Sequence, residues 1–187
     1  MALDFDSSRS WERLEQRLAE TDNPRHRRML ETVIAHTKAE AHGDIDAVMA
    51  TLGPDPKYHF WRNGKDFGPK GSSDIRKFYD DLIAKKATVL ESNKERITVD
   101  DRTIVHEGTI RTILPGSVLR ERGGPVDDED ATYIVTTRTL ISWPFDEEGR
   151  PIGEDSYSSM DVDSIEVVPE QDWPEQYRAL VARAPVS

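Results

Sequence analysis

At Ala87 the spacing of apolar residues changes character. Before it they recur every three or four positions, the step of a helix buried on one face. After it they alternate with polar residues, the step of a strand. A chain with helices first and long alternating strands afterwards has few architectures open to it. The strands pair through short antiparallel turns, and the helices must cover a face of the resulting sheet.

Local signals divide the two halves. Ser8 or Ser10 can cap a helix carrying Trp11, Leu14 and Leu18 on one face. Asn23 and Pro24 read as the cap and first position of a second helix, with Leu30, Val33, Ile34, Thr37 and Ala41 as its buried stripe and Gly43 as its stop. Asp44 caps a short third helix. Residues 58–62 read as an aromatic strand turned at Asn63 and Gly64. Ser72 or Ser73 caps a helix whose inner stripe includes Ile75, Phe78, Tyr79 and Leu82. Residues 89–99 and 102–114 form a hairpin turned at Asp100 and Asp101, and 115–130 reads as a loop. A second hairpin pairs 131–145 with 152–158, and a further strand covers 165–168. Asp172, Pro174 and Glu175 mark the start of a last helix. The expected fold is one α+β domain over 1–187, with a mainly antiparallel sheet of four to six strands. Residues 1–23 are a helical extension and 170–187 the C-terminal helix. Gly108 and Gly153 are placed to let the sheet bend sharply.

Composition excludes several functions. A formal net charge of -11 opposes a nucleic-acid surface. The one dense basic cluster, Arg25 to Arg28, reads as a solvated helix face. Without cysteine there is no disulfide, thiolate nucleophile or thiolate metal site. No apolar run approaches the roughly 18 residues that cross a bilayer, and the start lacks the regions of a signal peptide. The expectation is a cytoplasmic protein with no nucleic-acid or membrane partner.

Particular pieces in a particular order carry a family resemblance. They are Ala39 and Glu40 leading to Gly43 and Asp44, the Tyr58 strand, Gly71 before the Phe78 and Tyr79 helix, and Phe145 to Gly149 leading to Glu154 and Tyr157. Over about His36 to Ser159 the chain resembles the SnoaL-like branch of the NTF2-like superfamily. The resemblance implies a cone in which N-terminal helices pack on a strongly curved sheet around one deep pocket. It also implies cofactor-free acid–base chemistry on a small molecule, and a homodimer that buries the outer face of the sheet. Relatives often end the last matched strand with an aspartate; here Ser159 stands at that place.

Within such a pocket several residues are candidates. His106 shares a strand face with Ile104, Ile110 and Leu114, where burial would suit it to carry protons near neutrality. Glu107 and Arg111 lie on the other face, as an ion pair or as a base and its orienting cation. Strand parity alone leaves open which face is concave. Tyr58 can donate to a developing oxyanion, with Arg62 beside it to hold a phenol or carboxylate. Asp155 shares a face with Tyr157, opposite Glu154. Arg138 needs a carboxylate partner if buried, with Glu107, Glu154 and Glu91 as candidates. The residues that best fit the roles are His106, Tyr58, Glu107 and Asp155 as catalytic residues, with Phe60, Trp61, Arg62, Tyr79, Arg138 and Trp143 around the substrate. His36 and Glu40 share a helix face, but histidine is scarce and no second helical pair exists, so no metal and no cofactor are expected. The reading is a cofactor-independent lyase or isomerase acting on an apolar, aromatic or polyketide-like compound by retro-aldol cleavage, dehydration or cyclisation. The resemblance adds catabolism of lignin-derived aryl compounds as one direction. The alternatives are a non-catalytic binding or dimerisation module, with a pocket that is purely apolar or plugged by Trp143 and Phe60, and an epoxide hydrolase.

Overall fold

The computed structural model describes residues 3–183. In chain order the elements are α1 (Arg9–Ala19), α2 (Pro24–His42), α3 (Ile45–Ala50), β1 (Lys57–Arg62), β2 (Lys65–Asp66), α4 (Gly71–Ala84), β3 (Leu90–Val99), β4 (Thr103–Pro115), α5 (Gly116–Glu121), β5 (Thr132–Pro144), β6 (Gly153–Val167) and α6 (Glu175–Ala182). One six-stranded sheet runs β2-β1-β6-β5-β4-β3, antiparallel throughout except where β1 lies parallel to β6. Among the described residues no helix is long and apolar enough to cross a membrane.

Several local signals act as the sequence implies. The Asn23 side chain accepts from the Arg25 N–H at 2.9 Å and the His26 N–H at 3.3 Å, and Asp44 accepts from the Ala47 N–H at 3.0 Å. Asn63 and Gly64 both take positive φ, 49° and 74°, and turn β1 into β2.

Other details differ. Ser8 holds the cap position of α1 without a side-chain bond, while Ser10 is buried and its Oγ accepts the Ser92 N–H at 3.0 Å. The first helix therefore covers the exposed edge of β3, which would otherwise present unpaired backbone groups. Helix α4 begins at Gly71, ahead of either serine, with Lys70 at the cap. The expected loop after Pro115 contains α5, because Val118 and Leu119 find a buried seat against Leu114 and Tyr133. The returning strand and the further strand are one element, β6, interrupted where the register slips between Ile134 and Thr136. A short 3-10 turn at Glu170–Asp172 precedes α6, whose cap position is Pro174. The last four residues of the expected C-terminal helix lie outside the described residues, as do the first two of the N-terminal extension. The basic cluster also has a structural use. The Arg25 guanidinium donates to the carbonyls of Asp101, Asp146 and Glu147, each at 2.6 Å, and so ties α2 to two hairpin turns.

The bend of the sheet comes from bare backbone. A Cβ at residue 108 would stand 1.9 Å from the Asn93 carbonyl oxygen, and one at residue 153 would stand 1.9 Å from that of Lys57. Gly108 pairs with Lys94 beside a bulge in β3, where the register shifts before Arg96. Two strands close this tightly only where one lacks a side chain, and the bulge adds local twist. Helices α1 and α2 pack Leu14, Met29, Leu30 and Val33 against Ile104, Trp143 and Phe145 on the concave side. Helix α6 covers the opposite face at one end, burying Tyr177 and Leu180 against Ile113 and Ile134.

Gly108→Ala is expected to lower stability by about 2 kcal/mol or more, since the atoms it meets are backbone and cannot turn away. Urea unfolding measures this; an unchanged midpoint would show that the sheet does not need the close approach.

Candidate active site

Alternation along each strand decides which side chains face inward. A cavity of about 530 Å³ is lined by Phe60 and Arg62 of β1, Ile110 and Thr112 of β4, Thr137, Thr139 and Ile141 of β5, and Glu154, Ser156 and Ser158 of β6. Helices α2 and α4 close it with Glu40, Phe78 and Leu82. The wall is mixed, with apolar side chains such as Phe60, Phe78 and Ile110 beside several threonines and serines, and it includes two carboxyl groups, Glu40 and Glu154.

These two acids are partly exposed only because they face the cavity. Removal from bulk water raises the Glu40 carboxyl to about 7, opposed by the positive charge of Lys94. It raises Glu154 to about 8, with the charges of Glu40 and Asp155 adding to the effect and Lys94 opposing it. Lys94 is buried at 4% exposure, its ammonium donating to the Ser10 carbonyl at 2.5 Å and the Ser92 hydroxyl at 3.2 Å. Burial lowers it to about 8, while the two glutamates pull it back up. The three groups form one coupled cluster with protons exchangeable near neutrality.

Behind the cavity runs a buried hydrogen-bonded chain. The Thr51 hydroxyl donates to the Val48 carbonyl at 2.7 Å, so it accepts from His36 Nδ1, also at 2.7 Å. His36 Nε2 is then the acceptor for the Tyr79 hydroxyl at 3.1 Å, and Tyr79 in turn accepts from Tyr58 at 3.4 Å. Burial lowers His36 to about 3, which keeps it neutral, and its bonds to Thr51 and Tyr79 set this tautomer. Both ring nitrogens are thereby engaged, and among the described residues no three metal-ligating side chains converge.

The sequence-derived candidates divide between these places. Phe60 and Arg62 line the cavity. Tyr58 and Tyr79 stand in the buried chain behind it, and burial holds both hydroxyls well above their ordinary range. His106 points inward but is sealed, 5% exposed, with the Trp143 indole N–H 3.4 Å from its Nε2. Burial and then the charge of Lys94 hold it well below the usual histidine range, so it takes no proton near neutrality. Trp143 packs edge-on against His36 at 4.8 Å and does not plug the cavity.

The remaining four lie on the outer face. Glu107 is held below the usual carboxylate range by Arg138 and Arg96, and Arg138 also binds Glu95 at 2.6 Å. Arg138 thus finds carboxylate partners, but in a partly exposed outer network. Asp155 pairs in register with His59, and Trp61 stacks between His59 at 6.0 Å and Tyr157 at 6.5 Å. Glu107, Asp155, Trp61 and Arg138 therefore face away from the cavity. The reason is parity: their neighbours Gly108, Glu154, Phe60 and Thr139 take the inward positions.

Glu40, Glu154 and Lys94 are not among the catalytic and substrate residues that the sequence suggests. A signal existed for Glu40, because it continues the stripe of Val33 and His36 on α2 where a charge is out of place. Lys94 shares the inward parity of β3 with Ser92, but only the position of α1 makes that position buried.

No protein-family model matches the sequence, and no curated protein aligns with it. Solved structures do resemble it. A protein of Shewanella putrefaciens CN-32, assigned as a SnoaL-like polyketide cyclase, superposes with a TM-score of 0.59 at 13% identity, over 88% of this chain and 94% of that one. An LEH-like epoxide hydrolase of M. tuberculosis gives 0.54 at 20% identity, over 75% and 88%. An NTF2-like protein of unknown function from Burkholderia pseudomallei K96243 gives 0.52 at 17% identity, over 73% and 92%. The fold class is thereby shown: α+β, an NTF2-like cone. Its form is the one shared with SnoaL-like proteins, as the order of sequence pieces implies.

The raised acids give a stability signature. A carboxyl whose folded-state value lies above its unfolded value stabilises fully below the unfolded value and loses that contribution as pH rises through the folded one. For Glu154 the loss falls between about pH 4.5 and 8. Glu154→Gln should therefore match the parent's melting temperature near pH 5 and exceed it at pH 9. A constant difference across that range would show that the carboxyl is not raised.

Proposed function

We propose that this protein is a cofactor-independent enzyme of the lyase or isomerase type, moving protons on an apolar, aromatic or polyketide-like compound. One observation carries the reading: Glu40 and Glu154 line the same cavity, and burial raises them to about 7 and about 8. Between about pH 7 and 8 the pair holds one proton, so one group is an acid while the other is a base. That is the requirement for enolisation, retro-aldol cleavage, dehydration or cyclisation. Lys94 limits the negative charge of the pair, and the neutral His36 chain holds Tyr58 and Tyr79 in place behind the cavity without exchanging protons itself. The two acids in the lining count against a purely passive, apolar binding pocket.

The test is solvent exchange. Aryl and alkyl ketones incubated in D₂O with the enzyme should gain deuterium at the α-carbon. Glu40→Gln or Glu154→Gln should slow this by about 100-fold or more. The rate should peak between pH 7 and 8. It falls below that window as the base protonates, and above it as the acid ionises. Exchange that survives both substitutions would place the base elsewhere. His106→Gln should lower stability while leaving the rate per folded molecule unchanged.

A second reading, epoxide hydrolysis, is supported by the same two acids with a cation beside them, a set that can activate one water and protonate the opening oxygen. Incorporation of ¹⁸O from water into a diol would favour it over carbon–hydrogen exchange. In either case we expect a homodimer through the outer sheet face, where Tyr157 and Leu140 are 52% and 39% exposed, within the cytoplasm.

A further inference from the structure

The cavity carries opposite chemistry at its two ends. Glu40 and Glu154 lie on its inner wall, whereas Arg62, Asn63 and Arg122 line it at the protein surface. Arg62 ends β1 at the tight turn, and Arg122 follows the last turn of α5. Two elements far apart in the chain thus bring two guanidinium groups to one rim.

Neither group is matched by an acid among the described residues. The Arg62 guanidinium stands 5.0 Å over the Phe67 ring, and no carboxylate pairs with it. Arg122 is half-buried and likewise has no carboxylate partner among the described residues. Its proton affinity is lowered first by burial and then by the charge of Arg62; neighbouring Glu121 opposes this, but its carboxylate is taken by Lys85 at 2.5 Å. In a chain of net charge -11, one exposed and one half-buried arginine, neither paired with an acid, meet at this cavity rim and make it locally positive.

We propose that the compound bound in this cavity carries an anionic group, a carboxylate or a phosphate, which Arg62 and Arg122 hold at the rim. This rests on reading the cavity as the substrate site. Planar guanidinium groups bind such oxygens through paired hydrogen bonds. The orientation follows from charge. An anion cannot settle at the inner end, where a second carboxylate already resists ionisation, so the apolar body passes Phe60, Phe78 and Leu82 toward Glu40 and Glu154. Arg62 and Arg122 thereby determine specificity and do not take part in the proton transfer.

Isothermal titration of the full chain with 3-phenylpropionate, 3-phenylpropyl phosphate and the neutral 3-phenylpropionamide tests this. At low salt the better of the two anions should bind about 10-fold more tightly than the amide, and that advantage should shrink as salt rises. Which anion prevails identifies the head group. Arg122→Gln and Arg62→Gln should each remove most of the preference while leaving amide affinity unchanged, and Arg122→Lys should restore part of it. Melting temperatures of the variants check that the fold survives. Equal binding of anions and amide, or a preference that survives both substitutions, would overturn the inference and leave the cavity reading intact. If neither anion nor amide binds, the inference falls together with that reading.

Discussion

Gly108 lies so close to Asn93, and Gly153 to Lys57, that neither position has room for a methyl group. Much else depends on these contacts. They let β3 curl over β4 and β6 close against β1, and the curl turns a sheet with two faces into a wall with an inside and an outside. The inside is then too narrow for bulk water and too wide for its side chains to fill, which leaves the cavity. Burial in that space changes how strongly Glu40, Glu154 and Lys94 hold their protons. The chemistry of the site is in this sense a consequence of backbone packing between residues far apart in the chain, as Gly153 is from Lys57.

The interior separates groups that exchange protons from groups that hold position. His36 and His106 are the residue type most often associated with proton transfer, yet burial without a neighbouring acid leaves both neutral. Each is committed to a fixed partner: His36 to Thr51 and Tyr79, and His106 to the Trp143 indole. The carboxyls show the reverse. Their ordinary range lies well below neutrality, and desolvation brings them up into it. The same loss of water therefore removes histidines from service and recruits glutamates.

The outer face follows different rules. Arg96, Arg138, Glu95 and Glu107 form a partly exposed ion network there, in which water screens each pair and no group is left to do chemistry. Nearby, the His59, Trp61 and Tyr157 stack gives the same face an aromatic patch. These residues are as conspicuous in the sequence as those of the cavity. What differs is only the side of the sheet they occupy.

The sequence by itself determined the order of elements, the helix starts at Asn23 and Asp44, the turn at Asn63 and Gly64, both hairpins and the two glycines that permit the bend. These are properties of short stretches, where backbone geometry and side-chain type act within a few residues of one another. Phe60, Trp61 and Arg62 stood together as candidates in the sequence, and the tertiary structure alone turned Phe60 and Arg62 to the cavity and Trp61 away from it. Only the tertiary structure decided which strand face became concave. Paired positions such as Ile113 and Leu114, or Ile134 and Val135, are buried on both faces, since α6 covers one side and α5 the other. Alternation fixes that two neighbours point apart, but not where either points. That is why Glu107 and Asp155 stood level with Glu154 in the sequence, and why Lys94, made interior by a helix more than 70 residues earlier, gave no local sign of its place.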